Sequence, residues 1–146
     1  MLEKSRAQRS SQRGSTTIEF LFIALTLVLV MLAGIEMDRM LFVYANLADA
    51  AKAGARYAIV RGSDRTSGSA GPGANPSNIV SLVQSYATGI NPNNLTVNVT
   101  YPDGSNTVGS RVKVDISYAY DPWLGLLTSN LLGLNLKASS QGIITW

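Results

Sequence analysis

Hydrophobic positions along this chain change their pattern from an unbroken run to a helical spacing and then to alternation, and each pattern marks an element. From Phe20 to Ile35 the run is apolar except for Thr26 and Gly34, and no charge falls between Leu21 and Ile35. With the small residues Ser15 to Thr17 included, Ser15 to Ile35 makes a helix of roughly 31 Å, long enough for the ~30 Å hydrocarbon layer of a bilayer.

The helix does not have to stop there. No proline occurs from Met37 to Arg61, and apolar or small residues recur at Met37, Met40, Leu41, Tyr44, Leu47, Ala48, Ala51, Ala55 and Ala58. That is the alternating three and four spacing of one helical face, and Asp38, Asp49, Lys52 and Arg56 fall away from it. The spacing predicts one rod from Thr16 to Arg61, roughly 70 Å long, ending where a cation precedes Gly62, which would take the left-handed position. The stripe passes from Met, Leu and Tyr to alanines, and small residues let another element approach the backbone closely. The outer half of the helix is therefore expected to carry the rest of the fold.

Gly62 to Asn78 is Gly, Ser, Asn and Pro in composition, a loop. Ser77 or Asn78 can cap a short helix over Ile79 to Thr88, with Ile79, Leu82, Val83 and Tyr86 on one face and Gly89 ending it. A period of two then takes over. Leu95, Val97, Val99 and Tyr101 alternate with Thr96, Asn98 and Thr100, and after a turn region over Pro102 to Ser110, Val112, Val114, Ile116, Tyr118 and Tyr120 alternate with Lys113, Asp115, Ser117 and Ala119. These are two strands of an antiparallel hairpin. Asp121-Pro122 stops the second; Trp123 to Leu132 reads as an apolar excursion, a short helix over the sheet edge, and Leu134 to Ile144 as a third strand.

The expected class is α+β: a long N-terminal membrane-spanning helix with a small, three-stranded antiparallel sheet packed on its outer half, because a sheet with one apolar face needs a cover. The expected division is 1–14 as a cytoplasmic, unstructured leader, 15–35 as the membrane segment, 36–61 as its extracytoplasmic continuation, and 62–146 as loop, short helix and sheet.

Charge refines this picture. The chain's formal +3 is carried by residues 1–14, where Lys4, Arg6, Arg9 and Arg13 stand against Glu3 alone; the remaining eight basic and eight acidic residues balance. Loops rich in Lys and Arg stay cytoplasmic, which places the N-terminus inside and the C-terminus outside a membrane crossed once. No basic cluster exists beyond the leader, so a nucleic-acid partner is not expected. A secretory signal peptide is disfavoured: its apolar core is about 7 to 15 residues, shorter than this one, and Met31-Leu-Ala-Gly-Ile-Glu lacks an A-x-A site.

The chain has no Cys and no His. Disulfides and thiolate chemistry are thereby ruled out, no metal-ligand cluster can be assembled, and the remaining serines and acids form no nucleophile elbow. Neither an enzyme, a cofactor nor a small-molecule substrate is expected. Asp103, Gly104, Ser105 and Asn106 lack the spaced oxygen ligands and distant Glu of a calcium loop, and read as a turn. Asn94-Leu95-Thr96 and Asn98-Val99-Thr100 match the glycosylation sequon, but outward threonines on a strand explain them more simply.

Glu19 is the residue that does not fit a plain anchor. A carboxylate in an apolar segment is costly unless it is partnered, and marks function by default. Two readings stand at this position: an acid at the membrane edge, solvated by headgroups or paired with Arg13 or Arg9, and an acid that waits for a specific partner.

Gly14-Ser15-Thr16-Thr17-Ile18-Glu19-Phe20 is similar to the processing motif of type IV pilins, in the Gly-x-x-x-x-Glu-aromatic form of the tight-adherence (Flp) pilus pseudopilins. Gly34-Ile35-Glu36-Met37-Asp38-Arg39, followed by Ala50-Ala51-Lys52-Ala53-Gly54-Ala55-Arg56-Tyr57-Ala58, resembles the TadE-like family. The resemblance implies cleavage between Gly14 and Ser15 by a membrane-embedded aspartyl prepilin peptidase, and Glu19 with Phe20 as assembly residues, the acid pairing with the new Ser15 amine of a neighbouring subunit. It implies as partners that peptidase, other pilin or pseudopilin subunits, the pilus assembly platform and membrane lipid. Major Flp pilins are implied to be little more than the helix, so the sheet domain points to a minor pilin. The competing reading is an uncleaved single-span anchor whose outer domain binds a partner of a secretion machine.

Overall fold

The computed structural model describes residues 2–62, 75–123 and 134–145, with side chains from Thr16 onward. The elements are α1 (Leu2–Ile59), α2 (Ser77–Tyr86), β1 (Leu95–Thr100), β2 (Arg111–Ala119) and β3 (Asn135–Ile143). The three strands form one antiparallel sheet in the order β1-β2-β3. The chain divides into two compact units, Met1–Asp38 and Arg39–Trp146.

The first unit is helical. Among the described residues of the chain one helix, Thr16–Ile59, is long and apolar enough to cross a membrane, and its apolar window is 0% buried by the protein. Ile18, Phe20, Leu21, Phe22, Ile23, Val30 and Met31 are all exposed, which in water would oppose folding and in lipid costs nothing. The polar interruption at Thr26 is neutralised locally: its Oγ1 donates to the Phe22 carbonyl at 2.8 Å, the back-bond that lets a hydroxyl sit in a helix. The leader differs from expectation. Residues 2–13 are helical rather than unstructured, because Glu, Lys, Arg, Ala and Gln are good helix formers and neither Pro nor Gly interrupts before Gly14.

In the second unit the outer part of α1 packs on α2 and the sheet. Val43, Leu47, Ala50, Ala51, Ala55 and Ala58 share one core with Ile79, Val83, Val97, Val99, Val112, Val114, Ile116, Tyr118 and Tyr120. The expected stripe holds from Leu47 outward. Before it, Leu41 and Tyr44 are exposed and Val43 takes the core position instead, since stepping back from Leu47 at 3.6 residues per turn arrives at Val43. Met37, also expected on the stripe, is exposed. The helix ends at Ile59 rather than Arg61. The Ile59 carbonyl accepts from the Thr145 amide at 3.0 Å, so the residues after β3 satisfy the helix terminus that Gly62 was expected to cap. Arg61 turns back on Tyr57, donating to its hydroxyl and lying 4.2 Å from its ring centroid.

α2 begins at Ser77 after Pro76, and no side chain caps it. The Ile79 amide is shared at this end, donating to Asn78 Oδ1 at 2.9 Å and to the Pro76 carbonyl at 3.0 Å. The helix stops at Tyr86, and Gly89 follows with φ +75. The hairpin register runs from Leu95 opposite Tyr118 to Thr100 opposite Lys113, and β2 pairs with β3 from Arg111 opposite Ile143 to Ala119 opposite Asn135. Thr96 and Thr100 lie on the exposed face of β1, as the outward-threonine reading of the sequons requires. Most of the Gly62 to Asn78 loop and the Trp123 to Leu132 excursion lie outside the described residues.

The long β1–β2 connection is closed by Asp103. Its Oδ2 accepts from the Arg111 amide at 2.7 Å and its Oδ1 from Arg111 Nη2 at 2.7 Å, so the supposed calcium ligand is already committed to a turn. The Arg111 side-chain hydrogen bonds, with the bond from its backbone, lower the Asp103 carboxyl from 3.8 to about 2. A depressed acid adds stability above its unfolded value and loses it as the group protonates in the fold; here the loss falls between pH 3.8 and about 2. Asp103→Asn is expected to lower the urea midpoint of the full chain in detergent modestly at neutral pH, less so at high salt because the pair is exposed. The variant and the parent should converge near the acid end of that window.

Candidate functional site

The candidate site is the stretch of α1 from Gly14 to Phe20. Gly14 and Ser15 both lie inside the helix, which runs through them without a break. A glycine in a helix interior costs roughly 0.5–1 kcal/mol relative to alanine, so position 14 is the point between Leu2 and Phe20 where the helix is easiest to open. Position 19 stands four residues after position 15, the spacing at which helical positions are neighbours on one face.

Glu19 and Phe20 are exposed, Phe20 at 68%. Around the acid the helix presents Ile18, Leu21, Phe22 and Ile23, and among the described residues none forms an ion pair or hydrogen bond with its carboxylate. A carboxylate carried on an apolar, uncovered helix can be satisfied only by a group from outside the described chain or by solvent at a membrane edge. The described part of the leader is helical, but the side chains of Arg9 and Arg13 lie outside the described residues.

Two features escaped the sequence. Glu36 is 7% exposed, although its neighbours Ile35 and Met37 are 58% and 62% exposed, and it takes part in an interaction. The sequence named it within Gly34 to Arg39, the segment that resembles the family, but its burial had no signal beyond an acid immediately after an uncharged run. In the second unit, Arg39 Nη1 donates to the Asp121 carbonyl at 3.1 Å, and its guanidinium lies 4.3 Å from the Trp123 ring centroid and 5.2 Å from that of Tyr120. The periodicity of α1 held no hint of this, since the partners follow a strand far along the chain.

These features define an α+β class of protein, with one apolar N-terminal helix able to cross a membrane and a three-stranded antiparallel sheet unit. Residues 14–56 match the family model described as TadE-like protein, so the segment that begins at Gly14 and carries Glu19 is TadE-like. That family is structural, pilin-like and associated with Tad pili. The sheet beyond residue 56 lies outside the match. No curated protein and no solved structure matches the chain.

Proposed function

We propose that this chain is a minor pilin or pseudopilin, cut between Gly14 and Ser15 by a prepilin peptidase and needed to assemble a tight-adherence (Flp) pilus used in adhesion or surface colonisation. The observation that carries the reading is the TadE-like match starting at Gly14, with an acid five residues on in an exposed apolar helix. Before assembly the chain is anchored once in the inner membrane, its N-terminus cytoplasmic and the sheet unit extracytoplasmic. Cutting removes the four cations and one acid of the leader and leaves a chain with balanced charge. It also creates an amine at Ser15. Burying that amine against Glu19 of a neighbouring subunit stabilises only when the two meet in good geometry, so the pair rewards one axial register.

N-terminal sequencing of the protein from its native host, with and without the peptidase, tests the cut. A mature end at Ser15 that disappears without the peptidase is the expected result. Retention of Met1 to Arg13 in both strains would leave the uncleaved anchor in its place.

A further inference from the structure

Trp123 is 78% exposed, more than any other large hydrophobic side chain among the described residues. It is nevertheless held: the Arg39 guanidinium stacks 4.3 Å from its ring centroid while donating to the Asp121 carbonyl. An indole fixed in place and left uncovered by the described residues suits an environment that is apolar on one side and wet on the other, where tryptophan concentrates in membrane proteins.

Position along the chain supplies that environment. Arg39 comes four residues after Ile35, the last of the apolar run, about 6 Å of helical rise. The headgroup layer extends roughly 5–8 Å beyond the hydrocarbon edge on each side. The same stretch of α1 leaves Leu41, Phe42 and Tyr44 exposed at 59%, 61% and 49%. These occupy different sides of the helix, as a girdle at a bilayer surface would.

We propose that Trp123 and Arg39 form an interfacial lipid anchor, the indole resting among phospholipid headgroups of the membrane that α1 crosses, with Arg39 as its positioning residue. The anchor would hold the sheet unit on the membrane surface before assembly. Asp38 and Asp121 flank Arg39 and Trp123 in sequence and are exposed, and Glu36 precedes them, so the patch has no cationic excess. A zwitterionic headgroup therefore suffices, recognised by its phosphate and by the apolar boundary beneath it. The inference rests on the membrane-spanning reading of α1.

The chain contains two tryptophans, so Trp146→Phe leaves Trp123 as the only reporter. The full-length variant is reconstituted at one copy per phosphatidylcholine nanodisc, and separately into vesicles for flotation. Lipid brominated on the upper acyl chain is expected to remove most of the Trp123 emission, whereas acrylamide in the water removes little. Adding Arg39→Gln should reverse that preference while the chain still floats with the vesicles. Emission quenched by acrylamide and untouched by bromolipid overturns the anchor, as does emission protected from both, which would mean a protein cover. A chain that fails to float overturns the spanning reading together with the anchor; a floating chain with unquenched Trp123 overturns the anchor alone.

Discussion

A chain carrying Gly14→Leu is expected to accumulate uncut in the membrane, and a chain carrying Glu19→Ala to be cut normally and yet be missing from sheared filaments. The two substitutions separate steps that a single loss of piliation would merge. On the proposed processing the peptidase would have to open a continuous helix at position 14, and glycine, proline apart, is the residue whose release from helix costs least; leucine strengthens the helix by about 1 kcal/mol and adds bulk at the cut. The uncut chain would keep the leader with its four cations.

At position 19 the sign of the energetics makes the test sharp. A charged side chain costs about 2.5–3.5 kcal/mol at the centre of a membrane helix on insertion scales and less towards its end, where Glu19 stands, so removing the acid should make membrane insertion no harder. A defect in Glu19→Ala then cannot be blamed on a poorer anchor and has to come from a lost partner. Glu19→Gln keeps the shape and removes the charge, and is expected to fail in the same way. N-terminal sequencing reads the cut, and the subunit content of purified filaments reads incorporation. Wild-type incorporation of Glu19→Ala would remove the acid from the assembly mechanism and return it to the membrane edge.

How much of this was legible depended on what surrounds each segment. The strands were plain because one face of the sheet meets a core and the other meets solvent: Val97 and Val99 are buried where Thr96 and Asn98 are exposed, so period two survives in the sequence. The outer half of α1 was legible from Leu47 onward for the same reason, with Asp49, Lys52 and Arg56 marking the solvent side. From Met37 to Tyr44 apolar residues occur on every side of the helix, so the phase of the stripe was lost and Val43 was overlooked. Element ends were set by distant residues: Thr145 closes α1 at Ile59, and Arg39 meets Asp121 across a long stretch of chain. No local pattern encodes such contacts. At the candidate site the motif residues were readable, because a glycine and an acid at fixed spacing in an apolar run are conspicuous; the partners proposed for them have no counterpart within this chain's own pattern, so no periodicity could encode them.

The close seating of α1 on the rest of the second unit rests on Gly54, and Gly54→Leu is expected to unfold that unit or bring it near unfolding. A Cβ at this position would stand 2.7 Å from Val83 Cγ2 and 3.5 Å from both Ile79 Cγ2 and Val114 Cγ1. Val83 and Val114 are fully buried, so neither has free space to retreat into. Gly54→Ala sets one methyl against a gain of about 1 kcal/mol in helix propensity; Val83, fully buried and stiff because it branches at Cβ, has to give by several tenths of an ångström, and overpacking of about 1–3 kcal/mol outweighs the gain, so a net loss of about 1 kcal/mol is expected. Leucine gains no more propensity than alanine and forces three further carbons into filled volume, where overpacking costs about 1–3 kcal/mol or more. Small domains have about 5–15 kcal/mol in total, so a cost at the top of that range removes much of the margin. Urea titration of the full chain in detergent, followed by near-ultraviolet circular dichroism, should show Gly54→Ala modestly below the parent and Gly54→Leu with a much lower midpoint and readily cleaved by protease. Equal midpoints for the leucine and alanine variants would mean that α1 can move away from α2 and β2, and that the small-residue face does not fix the packing distance.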